Sequence, residues 1–501
     1  MVISESCIFT IFGATGDLTK RKLIPALFAL HGRRRLPEDF YVIAVGRRDK
    51  SNESYMDEMK NFIKNELRRT INERDWETFV KRIVYKKIDF NDDEGYEELR
   101  KACSEIDTEN KTKGNRMYYL AVAPGFFEMI IKKLYDHKML ENKDSWQRVM
   151  IEKPFGSDLE TAGRLNQSIN NILPEGRIFR IDHYLGKEMI QNILSLRFGN
   201  SIFEPIWSEK HIDNVQIVSS ETLGVGSRGS YYDKTGIVKD MLQSHILQML
   251  SLIAMEPPVS LGPEGIRDEK VKILKNIRLY DRDDPGKNIV RGQYGRGFAE
   301  GTDVLGYREE EGIPAESETE TFIALKTRID NRRWRGVPFY IFAGKRLYKK
   351  ATCVIIYFKD KPGPVFSGNT GDMRQNVLVI RIQPEEGVFF RINAKKPGDG
   401  FNFGPVDMNY CHSCLYEDNS PEAYEKLIIG AVNNDTSLFT RWDELELSWK
   451  FIESIGKMTS GAGHDYPNYA AGTKGPLEAY KMMENDGRVW WHEKEGGNEN
   501  L

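Results

Sequence analysis

The sequence predicts two domains: an α/β domain in the first half, then an α+β domain with a large, mostly antiparallel sheet covered by helices. At 501 residues the chain is too long for one ordinary hydrophobic core. Strand-like and helix-like segments alternate through the first half, which is typical of βαβ units around a parallel sheet. Strands in the second half are longer and alternate apolar with polar residues more cleanly, which favours an antiparallel sheet.

The elements follow from these patterns in order. Apolar, β-rich segments predict strands in the first half at residues 7–12, 41–45, 83–88, 116–123 and 148–152. Helical spacing predicts helices among them at residues 18–30, 54–71, 76–82, 95–106 and 126–140. Second-half strands are predicted at residues 215–223, 321–329, 353–360, 376–384 and 388–396. The pattern changes near the segment RIDHYLGKE, residues 180–188, which predicts domains 1–181 and 182–501.

Composition and charge exclude several classes of protein. Apolar residues make up 40% and charged residues 29%, an ordinary globular mixture. The net charge of -3 argues against a general nucleic-acid binder. No apolar run reaches the roughly 18 residues of a membrane span. The N-terminus lacks a secretion signal, and five cysteines fit a reducing compartment, so we expect a cytoplasmic protein.

A glycine loop follows the first strand and opens the first helix. Gly13 and Gly16 allow a tight turn and a close approach of the backbone to a ligand. N–H groups at the start of a helix suit an anion such as a pyrophosphate. Plain turns also contain glycines, and the third glycine of the common G-x-G-x-x-G pattern is absent. The position after the first strand of an α/β half nevertheless predicts a Rossmann-like dinucleotide site formed by Gly13, Ala14, Thr15, Gly16, Asp17 and Leu18.

The end of the second strand indicates which dinucleotide is bound. NAD-binding folds place an acid there, on the ribose hydroxyls. Here Arg47 and Arg48 occupy that place, and a guanidinium suits the 2′-phosphate of NADP. A solvated basic turn would look the same. We therefore predict NADP, without excluding additional use of NAD.

Two further segments contain candidate site residues. Lys153 follows a strand end in the segment RVMIEKPFG, and ligands of open parallel sheets bind at the carboxyl ends of strands. A lysine in solvent at a strand end is the alternative. Asp240, Ser244 and His245 lie in a predicted helix, VKDMLQSHILQML. A lone histidine in such a helix is more often an ordinary core residue, so chemistry there requires a partner, for which Asp182 is a candidate.

The segment Cys411-His412-Ser413-Cys414 contains a C-x-x-C pair. A zinc site would need a second pair at suitable spacing, which the sequence lacks. The pair is also far from the α/β half, where a redox C-x-x-C would be expected. We therefore predict a structural role for these cysteines and no metal site.

With these residues in view, the chain resembles the glucose-6-phosphate dehydrogenase family over nearly its whole length. RIDHYLGKE is highly specific to that family, whereas EKP also occurs in other sugar dehydrogenases. The other matching stretches include FGATGDLTKRKL, YLAVAP, DMLQSHILQM, VPFYIFAGKRL, LVIRIQP and EAYEKLI. The resemblance implies oxidation of glucose 6-phosphate at C1 to 6-phosphogluconolactone, the first oxidative step of the pentose phosphate pathway, with hydride transfer to NADP.

The resemblance also implies roles for individual residues. His245 would be the general base, and Asp182 would orient it. His183, Tyr184 and Lys187 would bind the substrate phosphate, with Gly186 letting the chain turn so that Lys187 faces it. Contacts with the rest of the sugar would come from Lys153, Glu221, Asp240, Lys345 and Gln383. The cofactor would be held by Gly13 to Leu18, Arg47, Tyr119 and Lys153.

Three points remain open from the sequence. Animal members bind a second, structural NADP through basic residues, but the corresponding positions here are Phe342, Ala351 and Ile355, so we do not expect that site. Family members form homodimers or homotetramers, and the sequence does not distinguish the two. An EKP-type dehydrogenase of a non-phosphorylated sugar, or a non-catalytic NADP-binding protein, is the alternative function. The first would not need His183, Tyr184 and Lys187, and the second would not need Asp182 with His245.

Overall fold

The computed structural model describes residues 5–67, 70–141, 144–281, 288–360, 372–398, 402–416, 422–459 and 465–491. Its strands, in chain order, are β1 (Cys7–Phe12), β2 (Phe40–Gly46), β3 (Ile83–Lys87), β4 (Arg116–Leu120), β5 (Gln147–Ile151), β6 (Ile178–Ile181), β7 (Ile212–Ser220), β8 (Ile289–Gly292), β9 (Tyr294–Gly295), β10 (Gly297–Ala299), β11 (Thr302–Val304), β12 (Phe322–Thr327), β13 (Phe339–Gly344), β14 (Ala351–Phe358), β15 (Val377–Gln383), β16 (Gly387–Lys395), β17 (Phe403–Cys411), β18 (Phe439–Thr440) and β19 (Tyr469–Ala470).

The α-helices are α1 (Ile24–Gly32), α2 (Asn52–Asn61), α3 (Glu73–Val80), α4 (Asp93–Glu109), α5 (Phe127–Asp136), α6 (Leu159–Asn170), α7 (Glu188–Phe198), α8 (Gly229–Tyr232), α9 (Leu247–Ala254), α10 (Pro263–Asn276), α11 (His412–Tyr416), α12 (Ala423–Val432), α13 (Trp442–Thr459) and α14 (Leu477–Glu484). Turns of π-helix span Thr19–Leu23, Phe62–Glu66 and Val238–Ile246. Among the described residues, no helix has both the length and the apolar character needed to cross a membrane.

The chain divides into two compact units, and both are discontinuous. Unit 1 contains residues 1–186, 260–267 and 421–446, and unit 2 contains the remainder. The sequence predicted one continuous domain on each side of residue 181. Unit 1 instead extends to Gly186 and includes two later segments, since α12 and β18 pack against elements of the first half.

Unit 1 is built on a seven-stranded sheet with the order β18-β6-β5-β4-β1-β2-β3. Its strands pair in parallel except for β18, which is antiparallel to β6. Strands β1, β4 and β5 are buried throughout, as expected for strands covered on both faces. Because the strands are parallel, their carboxyl ends lie at one edge, where ligands of such sheets bind.

Unit 2 is built on an eight-stranded sheet with the order β17-β16-β15-β14-β7-β13-β12-β8. Its strands pair antiparallel except for β7 and β13, which are parallel. The α+β architecture and the parallel sheet of the first half confirm the predicted fold class. The sequence did not predict β6, β13 or β17, although the strands that it did predict are all present within a few residues of their expected bounds.

Cys411 and Cys414 are joined by a disulfide. Cys411 ends β17 and Cys414 lies in the first turn of α11, and their Cα atoms are 5.3 Å apart. That separation is within the usual range for a bridged pair. The structure thus differs from the expectation of reduced cysteines at this pair, while Cys7, Cys103 and Cys353 are free and buried.

Gly186 ends the 3-10 turn His183–Gly186, which packs against α12. The sequence suggested that this glycine lets the chain turn, but its backbone is not in the left-handed region that requires glycine. The reason is instead a close approach, since a Cβ at Gly186 would lie 2.7 Å from the carbonyl oxygen of Ala423. The glycine therefore allows α12 to contact the segment that carries His183.

We expect Gly186→Ala to destabilise unit 1 by about 1–3 kcal/mol, because backbone must move to admit the methyl group. The measurement is the urea concentration at half unfolding, followed by circular dichroism. Gly163→Ala in α6 is the matched control, since its Cβ would meet nothing within 4 Å. That control should be stabilised by about 1 kcal/mol. Equal midpoints for Gly186→Ala and wild type would contradict the packing argument.

Candidate active site

The glycine loop of unit 1 is held in a tight turn at the carboxyl end of β1. Gly13 has a φ of 92°, and a Cβ there would lie 2.1 Å from the carbonyl oxygen of Ala121. The N–H groups of Gly13 and Ala14 donate to the carbonyl of Val45 at 3.0 and 2.9 Å. The hydroxyl of Thr19 donates to the carbonyl of Gly13 at 3.0 Å. The turn therefore requires glycine at position 13 and brings backbone to the edge where a pyrophosphate would bind.

The two arginines of the predicted NADP site follow β2 directly and are exposed. The Tyr85 hydroxyl donates to the Arg48 carbonyl at 2.6 Å, which fixes the backbone of this turn. A hydrogen bond from the Asn91 backbone lowers the pKa of Asp89, and the positive charge of Arg47 lowers it further. Both guanidinium groups are therefore accessible to a phosphate, at the strand end where the ribose of a dinucleotide is normally bound.

Glu152 and Lys153 follow β5, and Glu152 is held by two tyrosines. The hydroxyl of Tyr119, on the neighbouring strand β4, donates to Oε1 of Glu152 at 2.5 Å. The hydroxyl of Tyr424, on α12, is 3.3 Å from the same oxygen. Tyr119 is fully buried, and Glu152 accepts the hydrogen bond of its hydroxyl. Lys153 itself is partly buried.

Asp182 and His183 follow β6, at the same edge of the unit 1 sheet. Asp182 is 2% exposed, and its carboxylate accepts the N–H of Tyr184 at 3.0 Å. The ring of His183 lies parallel to the ring of Tyr424, with centroids 6.4 Å apart and an interplanar angle of 11°. The ring of Tyr184 also lies edge to face with this imidazole, with centroids 5.1 Å apart. The backbone turn and the two aromatic rings therefore define where the imidazole lies.

In unit 2, Lys187 precedes α7 and points to the end of β15. Its ammonium group donates to the side-chain carbonyl of Gln383 at 2.5 Å. The amide nitrogen of Gln383 donates in turn to the Thr352 hydroxyl at 3.0 Å. Because the amide is neutral, it orients the lysine without adding negative charge to the site. Lys187 and Gln383 were predicted separately, and the structure brings them together.

Glu221 and Lys345 form an ion pair at the ends of the parallel strands β7 and β13. The distance between the ammonium nitrogen and the carboxylate is 2.5 Å. The pairing register, Ser220 with Gly344, explains the contact, because each strand ends one residue before its charged residue. Lys345 is 3% exposed and lies 5.2 Å from the ring centre of Tyr232, so a carboxylate and an aromatic face both compensate its burial.

The predicted helix that contains His245 is a π-helix from Val238 to Ile246, followed by α9. In such a helix the backbone hydrogen bonds join residues five apart, the separation of Asp240 and His245. His245 is 1% exposed, and Asp240 is partly buried. The hydroxyl of Ser244 donates to the backbone carbonyl of Asp240 at 3.2 Å, so this serine is used locally. π-helical turns are uncommon and frequently occur at functional sites.

Three residues of these sites were not assigned a role from the sequence. Glu152 was visible in the EKP segment, but only Lys153 beside it was given a role. Tyr424 lies far from both Glu152 and His183 in sequence, and no local pattern links them. Tyr232 lies beneath Lys345, and burial together with the charges of Asp240 and other acids raises the pKa of its phenol. A contact of this kind has no sequence signature.

Known proteins resemble this chain over nearly its entire length. The family model described as glucose-6-phosphate dehydrogenase, NAD binding domain, matches residues 10–192. The model described as glucose-6-phosphate dehydrogenase, C-terminal domain, matches residues 194–491. Glucose-6-phosphate 1-dehydrogenase of Chlamydia pneumoniae is 44% identical over 492 residues, 97% of this chain and 96% of that protein. The enzyme of the same name from Bacillus subtilis (strain 168) is also 44% identical, over 97% of this chain and 98% of its own length.

Solved structures agree with this result. A glucose-6-phosphate dehydrogenase in complex with its substrate glucose-6-phosphate has a TM-score of 0.90 at 36% identity, covering 98% of this chain and 99% of that chain. Glucose-6-phosphate 1-dehydrogenase from Mycobacterium avium has a TM-score of 0.80 at 32% identity, covering 97% and 98%. The glycine loop, the EKP segment, the RIDHYLGKE segment and the Glu221–Lys345 pair thus occur in a chain that belongs to the glucose-6-phosphate dehydrogenase family.

Proposed function

We propose that this chain oxidises glucose 6-phosphate at C1 to 6-phosphogluconolactone and passes the hydride to NADP⁺. The observation that carries the proposal is the arrangement along one edge of the unit 2 sheet. Gln383 ends β15 and Glu221 follows β7; these strands run in the same direction, with β14 between them. Two strand spacings are roughly 10 Å, about the length of a sugar phosphate. A cation held at Gln383 and a hydroxyl-binding pair at Glu221 are therefore suitably spaced.

The phosphate is bound by His183, Tyr184 and Lys187. An ammonium group and an imidazole are both donors, and charge-assisted hydrogen bonds to phosphate are strong. The side-chain carbonyl of Gln383 accepts from the Lys187 ammonium group and adds no negative charge to the site. This set distinguishes a phosphorylated sugar from a free one.

The sugar hydroxyls are bound by Glu221, Lys345, Asp240 and Lys153. In the ion pair, Glu221 and Lys345 compensate each other, so the pair suits neutral hydroxyls, which both donate and accept hydrogen bonds. Asp240 contributes a further acceptor. Lys153, two residues after the end of β5, contacts both the sugar and the cofactor in this proposal.

His245 takes the proton from the C1 hydroxyl, and Asp182 orients the imidazole and stabilises the imidazolium that forms. The bound nicotinamide accepts the hydride. Since His245 is almost fully buried, its basic nitrogen is removed from bulk water, and a nearby carboxylate is needed to favour its charged form. The hydrogen bond from the Tyr184 N–H holds the Asp182 side chain in place.

The cofactor pyrophosphate is bound at the loop Gly13 to Leu18, and the 2′-phosphate is bound by Arg47. The positive φ of Gly13 and the tight contact with Ala121 fit a loop whose backbone faces a phosphate. Tyr119 helps to hold the cofactor indirectly, because its side chain is buried and its hydroxyl donates to Glu152.

We further propose a homodimer or homotetramer in the cytoplasm. β17 is an edge strand of the unit 2 sheet, and its side chains Val406 and Met408 are 42% and 45% exposed. An exposed apolar edge strand is a surface that proteins normally cover, here with a second copy of the chain.

Absorbance of reduced nicotinamide tests the proposed reaction, with glucose 6-phosphate or glucose as substrate. Lys187→Ala should raise KM for glucose 6-phosphate at least about tenfold, because a charge-assisted bond to the phosphate is lost, and should change KM for glucose little. Lys210→Ala, an exposed lysine of the same unit, is the control. Equal effects on the two sugars would remove Lys187 from the phosphate site. Activity with glucose alone would favour a dehydrogenase of free sugars.

His245→Asn should lower kcat by about 10² to 10⁴ with KM little changed, because a general base acts in the transition state. Asp182→Asn should lower kcat as well, and the double variant should be no worse than His245→Asn alone. Steady-state kinetics and a double-mutant comparison measure this. Ser244→Ala, next to His245 in the same helix, is the control. Unchanged turnover in His245→Asn would mean that another group is the base.

Arg47→Ala should weaken the binding of NADP⁺ at least about tenfold, which corresponds to the loss of one charge-assisted hydrogen bond. The binding of NAD⁺, which has no 2′-phosphate, should be nearly unchanged. KM for each cofactor is measured at saturating glucose 6-phosphate. Arg48→Ala is the comparison variant. If only Arg48→Ala changes the preference, the 2′-phosphate contact belongs to Arg48.

A further inference from the structure

The carboxylate of Glu152 joins three segments of unit 1 that are distant in sequence. Tyr119 reaches it from β4, and Tyr424 reaches it from α12. The backbone N–H of Lys153 also bonds this carboxylate. One group therefore accepts from a central strand, from the EKP segment and from a helix some 270 residues downstream.

Tyr424 extends this network to the phosphate-binding segment. Its hydroxyl is directed to Glu152, and its ring lies parallel to the imidazole of His183. α12, which carries Tyr424, packs closely on the turn that follows β6, where only glycine fits at position 186. A movement of Glu152 would thus be transmitted to both Lys153 and His183.

Three donors are directed at the side chain of Glu152, and the form of the acid that they stabilise is the carboxylate. Burial raises the pKa of Glu152 above its ordinary value, and the hydrogen bonds from Tyr119, Tyr424 and the Lys153 N–H, together with the Lys153 charge, offset part of that rise. Burial also raises the pKa of both phenols, which therefore remain donors. A carboxylate can accept all three hydrogens, whereas a protonated acid must direct one hydrogen of its own at a donor.

We propose that Glu152 is a positioning residue that holds Lys153 through its backbone and His183 through Tyr424, so that both face the substrate together. Tyr119 fixes the position of the Glu152 carboxylate, because Tyr119 is fully buried on a central strand. The inference rests on the proposed roles of Lys153 and His183. It explains why the EKP segment contains an acid: Glu152 orients two residues of the site without contacting the substrate.

The test compares variants that remove a single oxygen. Tyr424→Phe keeps the ring beside His183 and removes the hydroxyl, and Tyr119→Phe does the same on β4. The matched control is Tyr118→Phe, because Tyr118 is the neighbouring buried residue of β4 and donates to the Met139 carbonyl at 3.0 Å. Unfolding midpoints are measured for all three, so that a loss of stability is separated from a change in catalysis.

Tyr424→Phe is expected to raise KM for glucose 6-phosphate about fivefold, the equivalent of one net hydrogen bond, with kcat less affected. Tyr119→Phe should lower kcat/KM. In a plot of kcat/KM against pH, the fall in activity on the acid side should move to higher pH. The sign follows from the lost hydrogen bond: without it the pKa of Glu152 rises, so the carboxylate protonates earlier as pH falls. The amide of Glu152→Gln does not titrate. In the double variant Glu152→Gln/Tyr119→Phe, the acid side of the kcat/KM profile should therefore lie where it lies in Glu152→Gln alone.

Two results would overturn the inference. Tyr119→Phe and Tyr424→Phe could behave like Tyr118→Phe, with lower unfolding midpoints but unchanged KM, kcat and pH profile. Alternatively, Tyr119→Phe could shift the acid side of the kcat/KM profile equally with and without Glu152→Gln. The proposed function is tested separately by His183→Ala and Lys153→Ala. If these two variants retain wild-type kinetics, the assigned binding roles fail. If they lose activity while the tyrosine variants match Tyr118→Phe, only the positioning role of Glu152 fails.

Discussion

Parallel pairing between strands that are far apart in sequence places the polar groups of each unit side by side. Within the described residues of the eight-stranded sheet of unit 2, β7 and β13 are the one pair of neighbouring strands that run parallel, and that pair carries Glu221 and Lys345. If the two strands were antiparallel, their carboxyl ends would lie at opposite edges and the ion pair could not form. In unit 1 the parallel strands β1, β5 and β6 end immediately before the glycine loop, the EKP segment and Asp182. The chemistry of both units thus depends on strand direction.

Burial of charge is the second constraint on these sites, and the chain meets it in different ways. Lys345 is almost fully buried and is compensated by a carboxylate and an aromatic face. Lys187 is oriented by a neutral amide. The carboxylate of Glu152 is compensated by hydroxyl and backbone donors. The paired Lys345 suits neutral hydroxyls, whereas the carboxylate of Glu152, which hydroxyl groups bind, is a structural support.

The sequence predicted what depends on local pattern. Strands β1, β7 and β15 follow from their apolar runs, and Gly13 was found because it follows a strand and opens a helix. Other features depend on contacts that local pattern does not record. Tyr424 meets Glu152 only because α12 returns to unit 1, and the apolar periodicity of residues 238–254 does not distinguish a π-helix from an α-helix. Gly186 was noticed as a glycine, but the reason for it, the carbonyl of Ala423, lies in a distant segment.

The return of residues 421–446 to unit 1 has a consequence for biosynthesis. The core of that unit includes Leu427, Ile428 and Phe439, which are made last, whereas β1 to β6 are complete by residue 181. About 235 residues separate the end of the first segment from the start of the last. At roughly 5–20 residues per second, the ribosome needs on the order of 10–50 s to add them. During that interval the part of the core that α12 and β18 complete lacks these partners, and exposed apolar surface of this kind makes a nascent chain prone to aggregate.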